Sequence, residues 1–219
     1  SRIVRLNKHD MHSLFESRGA VVRKIDPNLP PICVLDRACE GLGIGLALET
    51  KAIRLFMKIS KLMKGEYYYG LTSIAAACLL SVCKGSESPI RLPTIAHSFQ
   101  RHRGRMAPRM LGRAYKSLLA HGYIPRIILQ PAKCIEVIAR RAKIKRRSII
   151  HAKRMLSSVG TVVHGRDPFS VAASVLWLSC KLNKEKVRQY SIANAAGVSL
   201  VTIRNGSKIL GPLIEQSVD

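Results

Sequence analysis

The strongest constraint on this chain is that it contains one stretch of itself twice. Gly70–Lys84 reads GLTSIAAACLLSVCK, and Asp167–Lys181 reads DPFSVAASVLWLSCK. Ser73 falls on Ser170, Ala75-Ala76 on Ala172-Ala173, Leu79 on Leu176 and Cys83-Lys84 on Cys180-Lys181, an offset of 97 residues. The same offset carries Thr94-Ile95-Ala96 onto Ser191-Ile192-Ala193. By Arg113 and Arg204 the offset has shrunk to 91, so the first copy holds a turn six residues longer. Self-similarity at a fixed period means two copies of one structural unit. A unit of about 100 residues can bury a core of its own. The expected division is an arm over 1–30, a first repeat over 31–123 and a second over 124–219.

Each copy reads as helices. The Ala-rich segment has small and apolar residues on several faces, the pattern of a central helix surrounded by others. Asp167 is placed to cap that helix in the second copy, with Pro168 at the first helical position, where its missing N–H costs nothing. Before it, Glu49–Met63 carries Ile53, Leu55, Phe56, Ile59, Leu62 and Met63 at a spacing close to a helical period. Lys145–Val159 is its counterpart, with Ile149, Ile150, Met155 and Leu156. Helices over Cys33–Leu42 and Pro131–Ala142 would open the two copies. Only Ile124–Leu129 reads as extended. The expected class is all-α, two tandem domains of about five helices. Residues 1–30, with scattered charges and the Asp26–Pro31 breaker cluster, read as a basic arm.

Composition points to a polyanionic partner. The chain has 37 Lys+Arg against 13 Asp+Glu, a formal net charge of +24. Such an excess repels itself unless a polyanion relieves it. Nucleic acid comes first and an anionic membrane surface second. No apolar run approaches the roughly 18 residues that would span a bilayer, and SRIVRLNKHD lacks the apolar run of a secretory signal. The six cysteines (Cys33, Cys39, Cys78, Cys83, Cys134, Cys180) form no CxxC pair. Most stand in apolar helical contexts, where a free thiol behaves as a small hydrophobe.

The most informative stretch is Tyr190–Leu213, YSIANAAGVSLVTIRNGSKILGPL. A short helix over Ser191–Ala196 runs into Gly197, suited to the positive φ of a tight turn. Ser199 then caps a second helix over Leu200–Leu210. This is a helix-turn-helix, whose second helix enters a major groove with its N-terminal residues against base edges. Val201 and Thr202 offer methyl groups to thymine. Arg204 suits a bidentate pair with guanine, about 1–3 kcal/mol of discrimination, and Asn205 suits adenine. Ser199 and Lys208 would hold phosphates. Ile192, Ala193, Ala196, Ile203 and Leu210 would form the buried side.

At the same corner of the first copy stands Phe99–Arg109, with Arg101, Arg103, Arg105 and Arg109 among small or polar residues. Followed by Arg113 in the helix Met110–Leu119, it reads as a phosphate clamp. Lys143, Lys145, Arg146 and Arg147 make a further cluster where two helices of the second copy join, facing either DNA backbone or an acidic protein surface.

At these residues the chain resembles transcription factor IIB and archaeal transcription factor B, over most of residues 30–212. The strongest pieces are GRDPFSVAASVLWLSCKL at Gly165–Leu182 and AGVSLVTIRNGSKIL at Ala196–Leu210. The first copy adds ACLLSVCK at Ala77–Lys84 and GRAYK at Gly112–Lys116. The resemblance implies two cyclin-like domains that embrace the TATA-binding protein on bent promoter DNA, with the helix-turn-helix reading the element upstream of the TATA box. Val201 and Arg204 match the family's base-contacting positions. The first repeat would touch DNA on the other side and help dock RNA polymerase II. Basic residues along the inter-repeat cleft would meet the acidic stirrup of the TATA-binding protein, and Lys143, Lys145, Arg146 and Arg147 are the residues expected to contact that protein or polymerase. The family's zinc ribbon is built on paired CxxC motifs, and these 219 residues contain none, so no cofactor is expected here. A monomer is expected. Few acids with six Cys and six Met argue for a mesophile, and the divergent first repeat argues for a divergent eukaryote and hence the nucleus; an archaeal source would mean cytoplasm.

Other classes fit less well. An enzyme finds no GxxxxGKS/T loop, no HExxH and no recognisable carboxylate pair. Gly41-Leu42-Gly43-Ile44-Gly45 has no strand before it and reads as a helix-end turn. A cyclin-type regulator of a kinase shares the fold but has no use for a basic reading helix. The RNA polymerase III relative of the family remains a close alternative.

Overall fold

The computed structural model describes residues 29–63, 70–103, 106–159 and 165–215. All regular structure among them is helical. The first repeat runs α1 (Leu29–Leu42), α2 (Leu46–Leu62), α3 (Leu71–Gly85), α4 (Leu92–Arg103) and α5 (Pro108–Ala120). The second runs α6 (Pro131–Ala142), α7 (Arg146–Ser158), α8 (Pro168–Leu182), α9 (Gln189–Ala196) and α10 (Leu200–Glu215).

The duplication seen in sequence is also a duplication of packing. In the first repeat α3 is the hub, packed by α1, α2, α4 and α5; in the second α8 is packed by α6, α7, α9 and α10. Both hubs are the Ala-rich segments. Ser73 to Ser81 of α3 are all buried, as are Val171 to Leu176 of α8. Small side chains on every face are what allow several helices to approach one axis. Asp167 caps α8 as expected: its carboxylate accepts from the Ser170 amide at 3.0 Å and the Ser170 hydroxyl at 2.6 Å.

Two separate cores result. One runs from Val34 to Ile124 around Leu35, Phe56, Leu79 and Phe99. The other runs from Cys134 to Ile214 around Ile135, Ile138, Leu176 and Ile203. Ile124 therefore packs with the first repeat, one residue beyond the boundary read from sequence. Five of the six cysteines are buried in these cores. Burial pushes the thiols of Cys39, Cys78, Cys83 and Cys134 up to about 12 and that of Cys180 to about 11. They stay protonated and serve as packing atoms.

Several local expectations need correction. Helix α1 opens at Leu29, so Pro30 and Pro31 lie in its first turn rather than in a breaker. Proline is tolerated there because those N–H groups have no intrahelical partner. Leu62 and Ile150 are exposed (52% and 44%), not core-facing. Their places are taken by Ser60 and by Ser148, buried polar residues that a search for apolar periodicity passes over. Ser60 donates to the Met57 carbonyl at 3.1 Å. Ser148 donates to Glu185 at 2.5 Å, so both hydroxyls are satisfied inside. Helix α10 continues through Pro212 to Glu215, past the Leu210 end set by pattern. Residues 1–28 of the arm lie outside the described residues.

Candidate nucleic-acid interface

Helix α9, the turn and α10 are built as the sequence leads one to expect. Gly197 ends α9 at φ +65°, its amide bonding back to the Ala193 and Asn194 carbonyls. The Val198 amide reaches the Ala193 carbonyl at 3.0 Å, closing the left-handed helix end. Ser199 caps α10: its hydroxyl oxygen accepts from the Thr202 amide at 3.0 Å and lies 2.8 Å from the Thr202 hydroxyl. One side of this unit is sealed into the core by Ile192, Ala193, Ala196, Ile203 and Leu210.

The opposite side of α10 is open. Val201 is 59% exposed, and Arg204, Asn205 and Lys208 are exposed with it. Positions 201, 204, 205 and 208 fall on one helical face. Thr202 is half-buried. Together with Asn205 it borders a small hollow of about 260 Å³ between α10 and the start of α8. The Arg204 Nε donates to Gln189 Oε1 of α9 at 3.4 Å, so the first helix of the motif steers the guanidinium of the second. Gln189 was not picked out from sequence, because an i to i−15 contact across a turn leaves no local signature.

The seat of α10 depends on Gly206. A Cβ built there would lie 2.9 Å from the Ser174 Cβ and 2.1 Å from its hydroxyl oxygen. The Cβ atom cannot swing away, so α10 would have to lift from α8. Gly206→Ala is expected to cost roughly 1–2 kcal/mol, overpacking strain of about 1–3 kcal/mol less the gain in helix propensity. A lowered denaturation midpoint checks it; a midpoint at or above the parent's would contradict the close approach.

In the first repeat the corresponding corner differs from expectation. Helix α4 runs to Arg103, so Phe99 and Arg101 belong to a helix rather than to a turn. Phe99 is fully buried. Gln100 stands where the second repeat has Gly197, and without that left-handed stop α4 gains a further turn. Much of the six-residue excess is absorbed this way. Arg101, Arg109 and Arg113 are exposed. Arg105 and the side chain of Arg103 lie outside the described residues.

The two repeats touch lightly. Among the described residues every helix pair in substantial contact lies within one repeat. Arg91, in the loop before α4, bridges the gap: it donates to the Gly197 carbonyl and to Asp167 Oδ2, the latter at 3.1 Å. The first repeat thus holds the very turn that precedes α10. Beside this contact opens a cleft of about 610 Å³, with Lys84, Arg91, Gln130 and Arg166 among its lining. Lys84 lies 4.3 Å above the Tyr115 ring, and burial lowers its pKa. Lys143, Lys145, Arg146 and Arg147 are exposed at the α6–α7 corner and do not line this cleft. No group of three or more His, Cys, Asp or Glu comes together as a metal site among the described residues. None of their helices is long and apolar enough to cross a membrane.

Comparison with known proteins agrees with this architecture. The family model described as Transcription factor TFIIB repeat matches residues 126–212. The chain is similar to the transcription initiation factor IIB of Methanosphaerula palustris, 30% identical over 194 residues, covering 83% of this chain and 53% of that protein. The corresponding factor of Ignicoccus hospitalis is 25% identical over 199 residues, 89% of this chain and 60% of the relative. Transcription initiation factor IIB 1 of Thermococcus kodakarensis is 24% identical over 205 residues, 90% and 65% respectively. The chain therefore spans about half to two thirds of the length of these archaeal relatives. The second helical repeat thus matches the transcription factor TFIIB repeat, and over most of its length the chain is similar to archaeal transcription initiation factors IIB.

Proposed function

We propose that the chain is the DNA-gripping core of a general transcription initiation factor. It binds promoter DNA together with the TATA-binding protein, in the nucleus and as a monomer, and helps position RNA polymerase II without performing covalent chemistry. The observation that carries this reading is the open face of α10, where Val201, Arg204, Asn205 and Lys208 stand together on a helix capped at its start and seated on α8. A major groove accepts one such helix, and an arginine at its front suits guanine. Ser199 at the capped end and the exposed Arg101, Arg109 and Arg113 of the first repeat supply phosphate contacts, with Arg103 and Arg105 in the same stretch. The net charge of +24 supplies the long-range attraction.

A mobility-shift titration with a promoter duplex and a scrambled duplex of equal length tests this, with and without the TATA-binding protein. Specific affinity should exceed non-specific affinity by about 10³-fold or more, the usual floor for a sequence reader. The TATA-binding protein should tighten the promoter complex alone. Equal retention of both duplexes under both conditions would refute promoter recognition.

A further inference from the structure

On the side of the second repeat away from the inter-repeat cleft, an open pocket of about 910 Å³ lies between the α6–α7 corner and the loop before α9. Six cations line it: Lys143, Lys145 and Arg147 from one wall, Lys184, Lys186 and Arg188 from the other. All six are exposed, and none is in an ion pair with a described carboxylate. The single acid in the lining, Glu185, is turned to another task. Its two oxygens accept from the Lys145 amide at 2.9 Å and the Ser148 hydroxyl at 2.5 Å, tying the loop to the start of α7.

Two of these lysines sit where a lysine should not. Lys143 (φ 55°) and Lys184 (φ 52°) are the only non-glycine residues with positive φ among the described residues, and both border this one pocket. At the position of Lys143 the first repeat has Gly43 at φ +64°. An L side chain in that region is disfavoured by about 1–2 kcal/mol, and glycine avoids the cost. Folding alone would put glycine at both places; an ammonium group is what lysine adds.

We propose that this pocket is a second anchor for duplex DNA, gripping backbone phosphates beyond the bases that α10 faces. The inference rests on the reading of α10 given above. Two observations select DNA as the occupant. The pocket joins the reading helix through consecutive residues, since Arg188 lines it and Gln189 holds Arg204. Its lining also sets six cations against one acid, and that acid is already engaged by the Lys145 amide and the Ser148 hydroxyl. A phosphodiester strand is held by just such cations and hydrogen-bond donors.

The test compares the parent with a Lys143→Gly, Lys184→Gly double variant on two duplexes carrying the same element. One duplex is trimmed to about one helical turn around the element and the other extended by about one turn on each side. Both substitutions relieve the backbone, so the melting midpoint should hold or rise and a binding loss cannot be laid to unfolding. On the extended duplex the variant should bind about ten- to a hundredfold more weakly, with a salt slope lower by about two. On the trimmed duplex it should match the parent, base preference included. Equal affinities and slopes on the extended duplex would overturn the anchor while leaving promoter reading intact. So would intact DNA binding accompanied by lost binding to poly-glutamate, which would give the pocket to a protein. If the parent itself retains neither duplex, anchor and promoter reading fall together.

Discussion

Raising monovalent salt from 50 to 200 mM is expected to weaken binding of this chain to a promoter duplex by about 10³–10⁵-fold. That range corresponds to six to ten phosphates neutralised, because each contact releases condensed counterions and contributes close to 0.9 to the slope of log affinity against log salt. The cations needed are available: Lys208, Arg101, Arg109 and Arg113 are all exposed, and the chain carries 37 Lys+Arg against 13 Asp+Glu. Fluorescence anisotropy across a salt series, at fixed pH and with one duplex, measures the slope directly. A slope shallower than about two would mean that few phosphates are touched, and the electrostatic footprint drawn here would be wrong.

Arg204→Ala should act on sequence and not on affinity at large. A bidentate arginine–guanine pair contributes about 1–3 kcal/mol of discrimination, so the variant should lose roughly five- to a hundredfold preference at one base pair. Preference at other positions should persist, because α10 stays seated on α8 through Ile203, Gly206 and Leu210. Lys208→Ala provides the contrast: it should weaken all duplexes about equally and lower the salt slope by about one. A panel of duplexes substituted at each base pair, titrated with the parent and both variants, separates these outcomes. An Arg204→Ala protein with the parent's preference at every position would remove Arg204 from the reading face.

Much of the fold was legible because it is written in small residues and caps. The Ala, Ser and Cys positions of Ser73–Cys83 and Val171–Cys180 announce hub helices, and the turn at Gly197 is visible as a glycine between two apolar patterns. What sequence reasoning missed has a common physical origin. Ser60 and Ser148 occupy core positions through hydrogen bonds whose partners are known only once the chain is folded. The extra turn of α4 follows from the lack of a glycine at Gln100, an absence that periodicity does not register. Lys143 and Lys184 take left-handed conformations that nothing in a lysine side chain advertises. Among the reading residues, the exposed face of Val201, Arg204 and Lys208 follows from helical spacing alone. The support from Gln189 and from Arg91 does not, since both contacts join segments far apart in the chain.

The bridge made by Arg91, joined across the repeats by an exposed Lys133–Glu87 ion pair at 3.7 Å, also sets how stiff the molecule is. A guanidinium shared between one carboxylate and one carbonyl at a partly open surface contributes on the order of 1 kcal/mol, little more than thermal energy. Among the described residues no two helices from different repeats are in substantial contact, so the lobes are held like the jaws of a caliper on a weak catch. The opening of that caliper is left to be set by the diameter and curvature of whatever is placed between the jaws.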